Sequence, residues 1–196
     1  MKKLLFSLIA LGFIFNAHAQ MCNGGKKKTS FAIRYTAFDF GTAKKVQNGS
    51  IGSVLNDKKW GQLADAINTF GVNYTKQYDN QVDMYTNVDI SITRKPNYTT
   101  SAFTSSSEYF YSSVETGLNV KMLKGDYPLV PFVSVGLGIR SYALRNFSAY
   151  APVGLGLQIK SYKGSNLNLL FNYSTKMSKS HIPTYNYGIS YSFPLK

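Results

Sequence analysis

From about residue 30 onward the chain alternates apolar and polar positions with a period of two, the spacing that sends successive side chains to opposite faces of a β-strand. Val82, Met84, Val88, Ile90 and Ile92 share one face, broken by Thr86, while Asp83, Tyr85, Asn87, Asp89 and Ser91 share the other. Val133, Val135, Leu137 and Ile139 oppose Ser134, Gly136, Gly138 and Arg140. Val153, Leu155, Leu157 and Ile159 oppose Gly154, Gly156, Gln158 and Lys160. Leu167, Leu169, Phe171 and Tyr173 stand against Asn168, Asn172 and Ser174. Tyr185, Tyr187, Ile189, Tyr191 and Phe193 stand against Asn186, Gly188, Ser190 and Ser192. A looser version sets Val114, Leu118, Val120 and Met122 against Glu115, Gly117, Asn119 and Lys121. Phe31, Ile33, Tyr35 and Ala37, then Phe70, Val72 and Tyr74, complete the set. The pattern predicts eight strands.

Their connections alternate in length. Asp79-Asn80-Gln81, Lys124-Gly125-Asp126 and Lys163-Gly164-Ser165 read as tight hairpin turns, whereas 41–65, 95–108, 143–149 and 177–183 read as longer links. Short turns on one side and long loops on the other is the wiring of an up-and-down outer-membrane barrel. The polar face is small, rich in amides, hydroxyls and glycine, with scattered charges. The apolar face carries rings near strand ends, at Tyr35, Tyr74, Tyr173, Tyr185, Tyr191 and Phe193. Tyrosine prefers the membrane interface because its ring is apolar and its hydroxyl needs a partner. In lipid a sheet edge finds no water, so the sheet must close on itself. The expected fold is all-β: an eight-stranded antiparallel up-and-down transmembrane β-barrel, apolar outside and polar within. A soluble periplasmic β-sandwich is the competing fold.

The 196 residues fit one domain. At 44% apolar, 15% aromatic and 16% charged, the composition excludes a disordered chain. One Cys excludes a disulfide framework and a Cys-based zinc site, and two His are too few for a His-rich metal centre. Met1-Lys2-Lys3, the apolar stretch Leu4 to Phe15 and Ala17-His18-Ala19 form a bacterial signal peptide. The expected organisation is a signal peptide at 1–19, a flexible periplasmic leader at 20–29, the barrel at 30–193 and a tail at 194–196. Gln20-Met21 before Cys22 does not fit a lipid-modified cysteine, so Cys22 is read as a free thiol. No other apolar run reaches the roughly 18 residues of a transmembrane helix. Cleavage removes Lys2 and Lys3 from a formal net charge of +13, which leaves a strongly basic protein that calls for an anionic neighbour.

The pattern resembles the barrel domain of the OmpA-like outer-membrane family, over about Ser30 to Phe193. The best local matches are Trp60 at the end of the first long link, the run Asp126-Tyr127-Pro128-Leu129-Val130-Pro131-Phe132 leading into Val135-Gly136-Leu137-Gly138, and Ala151-Pro152-Val153-Gly154-Leu155-Gly156-Leu157. The terminal Tyr187-Gly188-Ile189-Ser190-Tyr191-Ser192-Phe193 is similar to the aromatic-ended last strand that barrel-assembly machinery recognises, although Pro194-Leu195-Lys196 follow it. The resemblance implies location in a Gram-negative outer membrane. Many members carry a further peptidoglycan-binding domain; this sequence shows none, so wall anchoring is not expected. Fold does not give function.

An eight-stranded barrel is just wide enough inside for its own side chains. The expected inward set includes Arg34, Tyr85, Asp89, Glu115, Lys121, Phe132, Arg140 and Lys160. A buried carboxylate is far costlier unpaired than paired, so Glu115 is expected to form an ion pair with Arg34 or Arg140 in a plugged lumen. The long links hold Lys44, Lys45, Lys58, Lys59, Lys95, Arg145 and Lys179 against Asp57 and Glu108, a basic set suited to lipopolysaccharide phosphates. Trp60 and Phe103 are candidate contacts for a partner protein. Nucleic acid is not an expected partner. His181, beside Ser178 and Ser180, has no acidic residue nearby in sequence, so no catalytic group, cofactor or metal site is expected. The expected role is a non-enzymatic structural or interaction component, such as an accessory subunit of a larger outer-membrane complex. A narrow porin for small solutes or ions and a lipid-modifying enzyme are the alternatives.

Overall fold

The computed structural model describes residues 28–40, 42–43, 66–96, 103–123, 127–144, 146–161, 164–177 and 183–195. The predicted eight strands are present: β1 (Thr29–Asp39), β2 (Ile67–Gln77), β3 (Val82–Pro96), β4 (Phe103–Lys121), β5 (Leu129–Tyr142), β6 (Asn146–Lys160), β7 (Asn166–Lys176) and β8 (Thr184–Leu195). Each pairs antiparallel with the next, and β8 pairs with β1, so the sheet closes and has no edge strand. Thr29 and Leu195, placed outside the barrel by the sequence pattern, pair with each other at this seam.

Register sorts the wall into inner and outer rows. Ile33, Val72, Val88, Val114 and Ile139 are successive cross-strand partners and form one apolar row. The adjacent row is Arg34, Gly71, Asp89, Ser113 and Arg140. A slip of one residue would exchange the two, so register is strongly specified. Ile92 is 72% exposed, Phe70 65% and Leu137 58%, whereas Asn87 is 1% and Arg140 2% exposed. That is the inverse of a water-soluble barrel: the greasy side chains face out and the polar ones are enclosed. The competing sandwich is thereby excluded.

Aromatic side chains cluster near both ends of the outer wall, and their hydroxyls find partners. Tyr35 packs on Phe70 with ring centres 5.4 Å apart and donates to Asn68 Oδ1 at 2.7 Å. Tyr191 packs edge-on against Phe193 at 4.9 Å and shares a 2.9 Å hydrogen bond with Ser165. Phe171, Tyr173, Tyr185 and Tyr187 form a third group on β7 and β8.

The connections correct the expected sorting by length. Tyr142 pairs with Asn146, so the expected long link at 143–149 is a tight turn. Ala143 and Leu144 adopt φ of 56° and 55° there, in the left-handed region that costs a residue with a Cβ roughly 1–2 kcal/mol. No Asn-Gly or Gly-Gly announced this turn, which is why it was invisible in the sequence. The expected link at 95–108 is mostly strand, since Pro96 pairs with Phe103 after a register shift at Arg94. Conversely, β4 ends at Lys121 and β5 begins at Leu129, so that connection is longer than the expected three-residue turn. Lys124-Gly125-Asp126 itself lies outside the described residues. The barrel rests on alternation and closure, and loop length was the weaker cue.

Candidate functional site

The polar interior is the place where chemistry-bearing side chains converge. Its two ends are distinguished here by what they carry: the terminus end holds Thr29 and Leu195, and the loop end holds Asp39 and Ile67.

Arg34 and Asp89 sit on β1 and β3 with Gly71 of β2 in register between them. A Cβ on Gly71 would lie 2.2 Å from Asp89 Oδ1. Its absence lets Arg34 Nε approach Asp89 Oδ1 to 3.1 Å, close enough for ion pairing though not aligned as a hydrogen bond. Arg34 also donates to Thr36 Oγ1 from Nε at 3.0 Å and from Nη2 at 2.8 Å. Ser113 donates to Asp89 Oδ2 at 3.4 Å. On the far side Arg140 lies 4.1 Å from the Tyr150 ring centre and 5.3 Å from that of Phe38. Its two terminal nitrogens each donate to Thr184 Oγ1 at 3.3 Å.

Glu115 occupies the next inner row, between Asn87 on β3 and Gly138 on β5, with Tyr150 of β6 beyond. Asn87 Nδ2 donates to Glu115 Oε1 at 3.2 Å, and the Tyr150 hydroxyl donates to Oε2 at 3.1 Å. Gly138 again makes the contact possible, because a Cβ there would meet Tyr150 Cζ at 2.4 Å. The expected Glu115 ion pair is therefore corrected: its direct partners are neutral, and Arg34 contacts Asp89 instead. Period two tells which face a residue occupies, but not its height along the barrel. Arg34 shares its row with Asp89, not with Glu115. The four groups still balance, two guanidinium against two carboxylate, within one buried cluster.

Beyond this cluster the two ends differ. Toward the loop end Phe38, Phe40, Ile67, Tyr111 and Tyr142 pack as a hydrophobic core inside the barrel. Tyr111 lies 5.6 Å from Phe38 and 5.2 Å from Tyr142, ring centre to ring centre. Toward the terminus end lies a cavity of about 880 Å³. Lys121 Nζ pairs with Asp83 Oδ2 there at 2.7 Å, and Phe132, Lys160 and Tyr85 also line it. Tyr85 reaches over Gly117 and Gly136 and accepts a 3.3 Å hydrogen bond from Ser134.

All eight expected inward residues thus belong to the lumen or its cavity. Sequence reasoning placed Asp83 and Asn87 on the polar face but missed Tyr111 and Tyr150 as members, although each shares the parity of an inward neighbour. The expected lipopolysaccharide contacts Lys44, Lys45, Lys58, Lys59, Arg145 and Lys179 lie outside the described residues, as do Asp57, Trp60, Ser178, Ser180 and His181. Lys95 falls on β3 and Phe103 opens β4, so neither belongs to an irregular loop. Among the described residues no group of His, Cys, Asp and Glu is placed to hold a metal ion.

No family model matches the chain, and no curated protein matches it in sequence. Solved structures do match it in shape. The N-terminal β-barrel domain of Pseudomonas aeruginosa OprF is similar at a TM-score of 0.52 and 11% identity, covering 87% of this chain and 100% of that one. Neisserial surface protein A is similar at 0.53 and 9% identity, covering 87% of this chain and 98% of that one. The chain has the fold of these eight-stranded barrels. At such low identity the likeness extends to architecture alone, and the side chains in the lumen must be read for themselves.

Proposed function

We propose that this protein is a non-enzymatic β-barrel of the Gram-negative outer membrane, exported by its signal peptide, with a plugged lumen and a structural or interaction role. The observation that carries the reading is the inversion of the wall. Large aliphatic and aromatic side chains stand exposed around the whole outside, while Arg34, Asp89, Glu115 and Arg140 are buried inside. Hydrocarbon accommodates the first set, and closure of the sheet gives the backbone groups of β1 and β8 the partners that lipid could not. The loop end faces outward and the terminus end faces the periplasm, following the usual wiring of such barrels. In this role the basic residues of the outer links meet lipopolysaccharide phosphates, and Trp60 and Phe103 offer contacts to another outer-membrane protein of which this chain is an accessory subunit.

The loop-end core and the charged cluster beneath it are the observations that support the plug. A folded barrel should run at a different apparent mass before and after boiling, and should show near-zero conductance in a planar bilayer. A reproducible single-channel current from the unaltered protein would replace the plug with the porin reading. Extraction in mild detergent tests the subunit: a partner that co-purifies in fixed ratio supports it, and a lone barrel removes it.

A further inference from the structure

The pairing of β5 with β6 breaks in mid-wall. It runs from Leu129 and Ile159 to Val135 and Val153, then resumes at Gly138 and Tyr150, leaving out Gly136, Leu137, Ala151 and Pro152. Among the described residues the other strand pairings are continuous, save for the shift beyond Arg94 between β3 and β4. Register is the same on both sides of the gap, so Gly136 stands opposite Pro152 and Leu137 opposite Ala151. No residue is inserted there; a hydrogen bond is missing.

The direction of the peptide groups identifies that bond. Lys160 N donates to Pro128 O at 2.8 Å, and Ser161 N donates to Ser165 O at 2.8 Å. Even-numbered residues of β6 therefore turn their N–H groups toward β5 and odd-numbered ones toward β7, because successive peptides of a strand point to opposite sides. Position 152 should donate to β5, and proline has no N–H. The Gly136 carbonyl thus lacks its ladder donor in the middle of the wall, where lipid offers no substitute. Proline within a sheet is ordinarily confined to edges and bulges, and this closed barrel has no edge. Side chains facing each other near the break are small. Outside, Ile139 meets Ala149 and Leu137 stands opposite Ala151; inside, Ser134 meets Gly154. Between β7 and β8 the outer pairs are Leu169 with Ile189, Phe171 with Tyr187 and Tyr173 with Tyr185. Such cross-strand pairs are what stabilise a sheet. The rings of Tyr150 and Phe132 cross the β5–β6 seam on either side of the break, over Gly138 and Gly156.

We infer that the wall parts between β5 and β6 at Pro152 more readily than between its other strands, a built-in side opening from the polar interior to the apolar outside. Local opening is drawn from the least stable hydrogen-bonded units of a fold. Here the continuous ladders on both sides of the gap confine it to a few residues. The inference concerns the wall alone. It holds whether or not the lumen is plugged lengthwise, and it rests on no partner.

Hydrogen exchange of backbone amides in the detergent-folded barrel is the test. The amides of Gly136, Gly138 and Tyr150 face the seam, whereas those of Ala151 and Val153 point from β6 to β7. The first set should exchange at least about tenfold faster than the second. Pro152→Ala supplies the missing N–H and should slow the first set about tenfold, with Ala151 and Val153 unaltered. A second variant leaves Pro152 in place: Leu137→Cys with Ala151→Cys, in a chain whose one native cysteine is removed by Cys22→Ser. These two positions form the closer, non-hydrogen-bonded kind of pair, within reach of a disulfide. Oxidation should slow exchange of the first set, and reduction should restore it. Both variants are first shown to be folded by their boiling-dependent migration. Equal rates for the two sets in the unaltered barrel would overturn the inference. So would unaltered rates in folded Pro152→Ala, or rates indifferent to oxidation in the folded double-cysteine variant.

Discussion

Toward the loop end the inner wall presents Phe38, Phe40, Ile67, Tyr111 and Tyr142; toward the terminus end it presents Asn73, Asn87, Asn119, Asn168, Ser190 and Ser192. Strand pairing and in-out alternation are the same in both halves, and so is the number of strands. What differs is side-chain bulk. Rings meet across the loop half and exclude solvent, whereas amides line the terminus half and leave about 880 Å³ of space. Between them lies the charged cluster, dry on one side and hydrogen-bonded toward the cavity on the other through Asn87, Asn73 and Thr75. A barrel this narrow can therefore pack rings toward one end and leave a cavity toward the other with no change in its backbone plan.

The sharpest way to break the contrast is to attack the boundary. Arg34→Met leaves Asp89 buried without its cation and should cost about 3–5 kcal/mol, read as a lower urea midpoint for unfolding from lipid vesicles. Tyr111→Ala removes the ring between Phe38 and Tyr142 and should cost about 3 kcal/mol by the same assay. It should also raise bilayer conductance, because it thins the solid half; an unaltered conductance would show that the charged cluster seals the lumen unaided. Glu115→Gln keeps the size of the side chain but weakens the bonds from Asn87 and Tyr150, and should cost about 1–2 kcal/mol with conductance still near zero. The smallest effect should come from Gly188→Ala. A Cβ there meets Leu170, Thr36 and Arg34 atoms at 3.6–3.9 Å, ordinary contact distances, so stability should change by less than about 0.5 kcal/mol. A large loss in that variant would mean that the hollow half is packed more tightly than its geometry shows.

Most of the fold was legible because alternation is a local property. Val82 to Ile92 announces its outer face without knowledge of any other strand, and seven further segments do likewise. Partnerships inside the lumen depend on something non-local, the register between strands. Arg34 and Asp89 meet because Gly71 stands between them, and Glu115 meets Tyr150 because Gly138 does. Gly138 was visible on the polar face and Gly71 shares the parity opposite Phe70 and Val72, but which charges they would join was not legible. The turn at Ala143 and Leu144 was hidden for another reason: it uses residues that ordinarily avoid its conformation. Apart from Lys95, the lysines of the long links fall outside the described residues, as does His181, so the sequence remains the basis for what is said of them.

The seam between β1 and β8 joins the first strand to the last, Phe31 to Phe193 and Ile33 to Tyr191. A nascent chain lacking its final strand would present two raw margins, and in hydrocarbon neither could be soothed by solvent. Seven strands of this barrel are thus no stable waypoint: the sheet cannot rest in hydrocarbon before β8 has joined β1.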